Sequence, residues 1–405
     1  MLSRREFLTG VAVGPWLAGG CRSEAASPEV PPGVEEDPED RLQVELEALR
    51  REYGLPGATA AFILPLGTLG AVATGMADRD TGLEMEPHSR MLAASIGKSF
   101  VAATVLDLSR GRELGLDDPL TRWLSDRPWL PRIPSYDAIT VRHLLTHTSG
   151  LPDHVYTAAF AEAVRARWNL PGNAFPPETL VSFILDRDAA FAPGSRWAYS
   201  DTGYVLLGMV IEAVTGSRWQ HEVLERFLVP LHLADTTPSD RRTLPGLATG
   251  YVPPDNRLGL PASTTIAPGV MAWNPALEDA GGGLASTPSD LVRWGRALFE
   301  GGAMAGDYLP DLLRSVPTDS DGSVRYGLGV AIREWGPFGR VWGHAGRIPG
   351  YTSSLRYYPD HRVAIAFQTN ADAALLTRTR GDSLARIEHR LVHALLGRRR
   401  QASSL

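Results

Sequence analysis

The chain has 405 residues, 43% of them hydrophobic, and a formal net charge of −6, so it can bury a large core and carries no excess of positive charge. No sustained basic stripe runs along it, and composition gives nucleic-acid binding no support. Lys98 is the single lysine among 40 basic residues and Cys21 the single cysteine, so no disulfide forms within the chain.

In chain order, Ser3-Arg4-Arg5-Glu6-Phe7-Leu8 reads as a twin-arginine export signal. The apolar run from Gly10 to Gly20 is too short to span a bilayer as a helix. It ends at Leu17-Ala18-Gly19-Gly20-Cys21, which is similar to a bacterial lipoprotein cleavage site, with Ala18 where a larger aliphatic residue is usual. Residues 1–21 are therefore expected to be a signal, with Cys21 as the lipidated residue anchoring an exported protein on the periplasmic or cell-envelope side. Residues 22–40, rich in Pro, Glu, Ser and Ala, read as a disordered tether.

Leu42, Val44, Leu46 and Leu49 predict an amphipathic helix over 41–53. Strand patterns at Ala58–Leu64 and Gly70–Met76, separated by a Pro65–Gly67 turn, predict a hairpin. A long apolar helix is expected from Ala94 to Leu108. The middle then reads as helices and loops, with helices at 141–146, 158–168, 177–187, 204–215 and 219–228. Another helix, 289–300, is capped by Thr287-Pro288-Ser289-Asp290. Strands return at 326–335, 340–343, 353–358 and 363–369, before a last helix over about 382–396. Strands at both ends of the chain thus bracket a helical middle. The expected class is α+β: an antiparallel sheet of N- and C-terminal strands flanked by helices, over 41–116 and 281–397, with an inserted, mostly helical lobe over 117–280. Residues 398–405 read as a tail.

The lone lysine stands where arginine would fail chemically, because a guanidinium does not release its proton in a protein and a lysine can. Ser95 lies three residues before it, on the same face of a helix. That spacing suits a serine nucleophile beside a lysine base.

Three further segments carry a family likeness: Thr146-His147-Thr148-Ser149-Gly150-Leu151-Pro152, Phe191-Ala192-Pro193-Gly194-Ser195-Arg196-Trp197-Ala198-Tyr199-Ser200-Asp201, and Trp342-Gly343-His344-Ala345-Gly346-Arg347. With Ser95-Ile96-Gly97-Lys98, they make residues 41–397 resemble the serine β-lactamase and D,D-peptidase family, in the branch of class C β-lactamases, D,D-carboxypeptidases and related esterases. The resemblance implies that Ser95 is acylated, that Lys98 is its partner and that Tyr199 shuttles protons. It places Asp201 where the Tyr-x-Asn motif has Asn, and His344 where many relatives have the Lys of Lys-Thr-Gly. It also assigns Gly346 to that strand edge and an oxyanion hole to the backbone N–H groups of Ser95 and Arg347. No metal or organic cofactor is implied.

Both departures bear on substrate. Asp201 adds a charge and removes amide donors, and His344 removes a fixed cation, so anionic substrates are disfavoured. Arg347 supplies a cation nearby. The expectation is an exported serine hydrolase acting on small acyl, ester or D-amino-acid peptide substrates, including cell-wall peptide, with weak β-lactam turnover. A penicillin-binding-like protein with slow acylation is the nearest rival. A metal-dependent hydrolase using His143 and His147 is the distant one; those two histidines, at i and i+4, read better as a helix end. His389 and His393 share that spacing and read as a surface face.

Overall fold

The computed structural model describes residues 37–170, 175–380 and 383–397. The export signal, Cys21 and residues 22–36 of the expected tether lie outside the described residues, as does the tail at 398–405. Among the described residues, no helix is long and apolar enough to cross a membrane.

The first helix spans Pro38–Tyr53 and starts inside the stretch read as a tether. Asp37 caps it, its side chain accepting the Glu39 N–H at 2.9 Å, and Pro38 suits the first turn, where no intrahelical donor is needed. Gly54, at φ 62°, closes it. The hairpin pairs Gly57–Ile63 with Leu69–Asp78.

The protein is α+β. A nine-stranded antiparallel sheet runs in the order 83–84, 69–78, 57–63, 363–369, 351–358, 340–348, 331–334, 324–326 and 316–317. Its central joint pairs the two ends of the chain, Ala58 opposite Thr369 through Ile63 opposite Ala364. Alternation along these strands divides the core. Ala58, Ala60, Phe62, Ile365 and Phe367 pack with Leu42, Leu46, Ile387 and Leu391 of the first and last helices. Ala61, Ile63, Ala364 and Ala366 face the other way, toward Phe100, Leu291 and Trp294. The last helix, Ser383–Leu396, lies on the first.

Several expected elements differ in detail. The run 326–335 is two strands, because Gly327 N–H bonds to the Val330 carbonyl and turns the chain. The helix expected over 177–187 stops at Ser182, and 219–228 passes from α-helix to a π-turn at Leu224. Helix 204–215 starts at Asp201. The middle is not wholly helical, since Thr237–Pro238, Thr265–Ala267 and Val270–Met271 are short strands. The helix expected from Ala94 begins as a 3₁₀ turn, Ala94–Ile96, and becomes α-helical over Gly97–Arg110.

Candidate active site

Ser95 sits in that 3₁₀ turn, directly after Ala94, whose φ of 49° is uncommon for a residue with a Cβ. The turn is wedged between two backbones that approach closely enough to require glycine. A Cβ on Gly97 would lie 2.6 Å from the Gly282 carbonyl oxygen, and one on Gly346 would lie 2.1 Å from that of Ala93. The first contact seats the serine turn on the Pro275–Gly281 segment. The second brings strand Arg340–Ile348, with Arg347 next in line, beside it. Ser353 Oγ donates to the same Ala93 carbonyl at 2.7 Å and ties the neighbouring strand to this junction.

Lys98 follows one turn later and is fully buried. Its ammonium group has an acceptor for each hydrogen: Ser95 Oγ at 3.0 Å, Asp201 Oδ1 at 2.5 Å and the Gly281 carbonyl. Tyr199 Oη donates to Ser95 Oγ at 2.8 Å. Residues separated by about a hundred positions therefore meet on one serine oxygen.

The loop that delivers Tyr199 is laced to the 147–150 segment by backbone bonds. Ala198 N–H donates to His147 O at 3.0 Å, Gly194 N–H to Thr148 O at 2.8 Å and Ala190 N–H to Gly150 O at 2.9 Å. His147 Nδ1 accepts the Ser200 N–H at 3.2 Å, and its ring lies 4.1 Å from that of Tyr199. His143 Nδ1 instead accepts the Thr140 N–H in a capping box at the start of helix Val141–Leu145. The two histidines are thus engaged with separate backbone groups.

Among the residues assigned to substrate binding or support, Asp201 stands where the related motif has Asn and turns its Oδ1 to Lys98. His344 was expected in substrate binding, yet it is buried with both ring nitrogens engaged: Nε2 with Tyr326 Oη at 2.8 Å and Nδ1 with its neighbour's carbonyl, Ala345 O, at 2.6 Å. Burial, then the Lys98 charge, pushes the imidazole down to about 3, so it is neutral. Tyr326 was not anticipated. No local spacing marks it; it comes beside His344 because it pairs with Ala331, which pairs in turn with Gly343. His389 and His393 lie edge-on to Phe338 on the last helix, with His393 exposed.

The electrostatics are dominated by carboxyl groups around one lysine. Burial, and then the Asp201 charge, raises the Tyr199 phenol well above its usual range. Asp153 is raised to about 7 by burial and by Asp201, against backbone N–H groups of Val155 and Asp201 that favour its charged form. Glu278 is raised to about 8 by burial, Lys98 opposing and Asp201 adding to the shift. The arrangement keeps the phenol protonated beside a serine oxygen that a lysine also contacts, a set suited to acyl transfer. Among the described residues, no group of three or more His, Cys, Asp or Glu is placed to hold a metal ion.

A family model described as Beta-lactamase matches residues 42–387. Penicillin-binding protein 4* of Bacillus subtilis (strain 168) is 27% identical over 309 residues, 74% of this chain and 64% of that protein, so the match spans less than two thirds of that relative. Esterase EstB of Burkholderia gladioli is 31% identical over 278 residues, 62% of this chain and 68% of that protein. Among solved structures, a D-stereospecific amidohydrolase from Streptomyces sp. aligns with a TM-score of 0.74 at 28% identity, covering 89% of this chain and 99% of that one.

Proposed function

The chain belongs to the β-lactamase family of serine hydrolases, and from that membership we propose that it hydrolyses esters and D-amino-acid amides or peptides through an acyl-enzyme on Ser95. The observation that carries this is the meeting of Lys98 Nζ and Tyr199 Oη on Ser95 Oγ, at 3.0 and 2.8 Å. In this reading the Ser95 proton passes to Lys98 as Lys98 yields one to Asp201, and the freed oxygen attacks the acyl carbon. Tyr199, kept protonated by burial and by Asp201, then gives its proton to the departing alcohol or amine. The N–H groups of Ser95 and Arg347 receive the developing oxyanion. In the second step water attacks the acyl carbon and gives a proton back to Tyr199, while the released Ser95 oxygen regains a proton from Lys98 as Asp201 returns one to Lys98.

Substrate class follows from charge. His344 is neutral and committed to Tyr326, and the Lys98 charge is taken up by Asp201, so neither offers a cation to substrate. A substrate carboxylate is poorly received there. The names of two relatives, an esterase and a D-stereospecific amidohydrolase, support esters and D-amino-acid amides as substrates. Export through the twin-arginine signal and a lipid anchor at Cys21 complete the proposal.

The test is intact mass after treatment with a fluorophosphonate or penicillin, in wild type and Ser95→Ala, beside turnover of D-amino-acid p-nitroanilides, p-nitrophenyl esters and a chromogenic cephalosporin. We expect a Ser95-dependent adduct with ester or D-amide turnover. Efficient cephalosporin turnover would overturn the substrate assignment. An adduct without turnover of any substrate would favour a penicillin-binding role, and activity lost only to a chelator would remove Ser95 from the mechanism.

A further inference from the structure

A cavity of ≈ 340 Å³ lies among helix Asp201–Thr215, helix Trp219–Val223 and the Pro275–Gly281 segment, and none of Ser95, Lys98, Tyr199 or Asp201 lines it. Its size falls within the range of small-ligand sites. Its walls hold polar atoms that the protein itself leaves unused. Among the described residues, the Oγ of fully buried Ser239 has no hydrogen-bond partner, and neither has Oδ2 of Asp279, which is 9% exposed. Asp279 Oδ1 is occupied by Trp219 Nε1 at 2.9 Å, which fixes the carboxyl group so that one oxygen is held and the other is free.

The charge balance is one-sided. Of the four acidic residues in the lining, Glu178 pairs with Arg127 at 3.2 Å, and Asp240 with Arg241 at 2.8 Å and Arg218 at 3.7 Å. Glu212 and Asp279 make no ion pair among the described residues. Burial raises both carboxyl groups, while Arg218, the one cation in the lining, acts on both in the opposite sense, leaving four acidic residues against one arginine. Two unpaired carboxyls and an unpartnered hydroxyl call for a ligand that donates hydrogen bonds and carries positive charge.

We propose that this cavity binds a small organic cation bearing N–H donors, an alkylammonium or alkylguanidinium group, between Glu212, Asp279 and Ser239. The alkyl part meets Met209 and the Trp219 indole, both in the lining. The site also abuts the catalytic candidates through the main chain. Asp279 has a strained backbone, φ 42° and ψ −138°, and two residues on, the Gly281 carbonyl accepts from Lys98.

The experiment is isothermal titration of the full chain with n-butylammonium and n-butylguanidinium chlorides at constant ionic strength, with n-butanol and butyrate as matched probes. Wild type and Ser95→Ala should bind one or both cations saturably and neither matched probe. Glu212→Gln and Asp279→Asn should each weaken binding at least about tenfold. Glu212 is half-buried on an otherwise intact helix, so its variant carries the test should Asp279→Asn fail to fold. Unchanged cation affinity in Glu212→Gln, equal binding of butanol, or no saturable binding by wild type would overturn the proposal.

Discussion

Lys98 Nζ and Asp201 Oδ1 stand 2.5 Å apart at the start of helix Asp201–Thr215, where related motifs have an asparagine. The carboxylate gives Lys98 a neighbour that can take a proton, which an amide cannot. Asp201→Asn should therefore slow Ser95 acylation by about 10²–10⁴, while the Tyr199 phenol, relieved of one of the charges that raise it, moves back toward its usual range. Single-turnover acylation followed by intact mass reads the first effect, and ultraviolet titration of tyrosinate the second. An acylation rate within about threefold of wild type would show that the serine proton does not travel by way of Asp201.

Lys98→Arg tests why the chain keeps one lysine. The side chain is fully buried with three acceptors around it, and a guanidinium neither fits that tetrahedral set nor releases a proton. We expect kcat/KM on a p-nitrophenyl ester to fall by roughly 10³ or more, with a lower thermal midpoint from the larger group. Retention of near wild-type esterase activity would rule out proton transfer at this position.

Tyr326→Phe isolates the role of His344. The hydroxyl is 2.8 Å from His344 Nε2 in a buried pair, and its loss leaves a ring nitrogen unpartnered at a cost of about 1–3 kcal/mol. The variant should melt lower but keep acylation at Ser95, because both His344 ring nitrogens are engaged within the protein. The contrary result is a variant of unchanged stability whose KM rises with kcat intact, which would place His344 against substrate.

Asp153 gives a pH signature. Its folded carboxyl sits at about 7 against an ordinary 3.8, chiefly through burial and then the Asp201 charge. The folded state thus holds a proton between pH 4 and 7 that the unfolded state has lost, so stability declines as pH rises through that window. Asp153→Asn should flatten the decline while keeping an oxygen for the Val155 N–H, now at 3.1 Å. Thermal midpoints measured from pH 4 to 8 in both proteins decide it; parallel profiles would mean that Asp153 does not titrate in this range.

The sequence was most informative where the physics is local. Ser95 and Lys98 are one helical turn apart, so their spacing alone brings the two side chains to one face. Near-continuous apolar runs at 57–63 and 363–369 mark strands buried on both sides, and the first and last helices show their apolar stripes. The run 326–335 misled because its apolar content is strand-like throughout. A Gly-containing turn divides it, and Gly329 lies close against the serine helix, where a Cβ would come within 2.7 Å of Ala102.

Spacing within one helical turn marked Ser95 and Lys98, the family resemblance added Tyr199, and composition singled out the one lysine as the cation arginine cannot replace. The tertiary structure alone decided what the neighbouring groups do. Asp201 is turned to the lysine, His344 is spent on Tyr326, and Glu212, Asp279 and Ser239 are gathered around a cavity. The physical reason is range. Helix periodicity fixes neighbours three or four residues apart, whereas strand register and close glycine contacts fix those a hundred apart, and neither is written in any one segment of the chain.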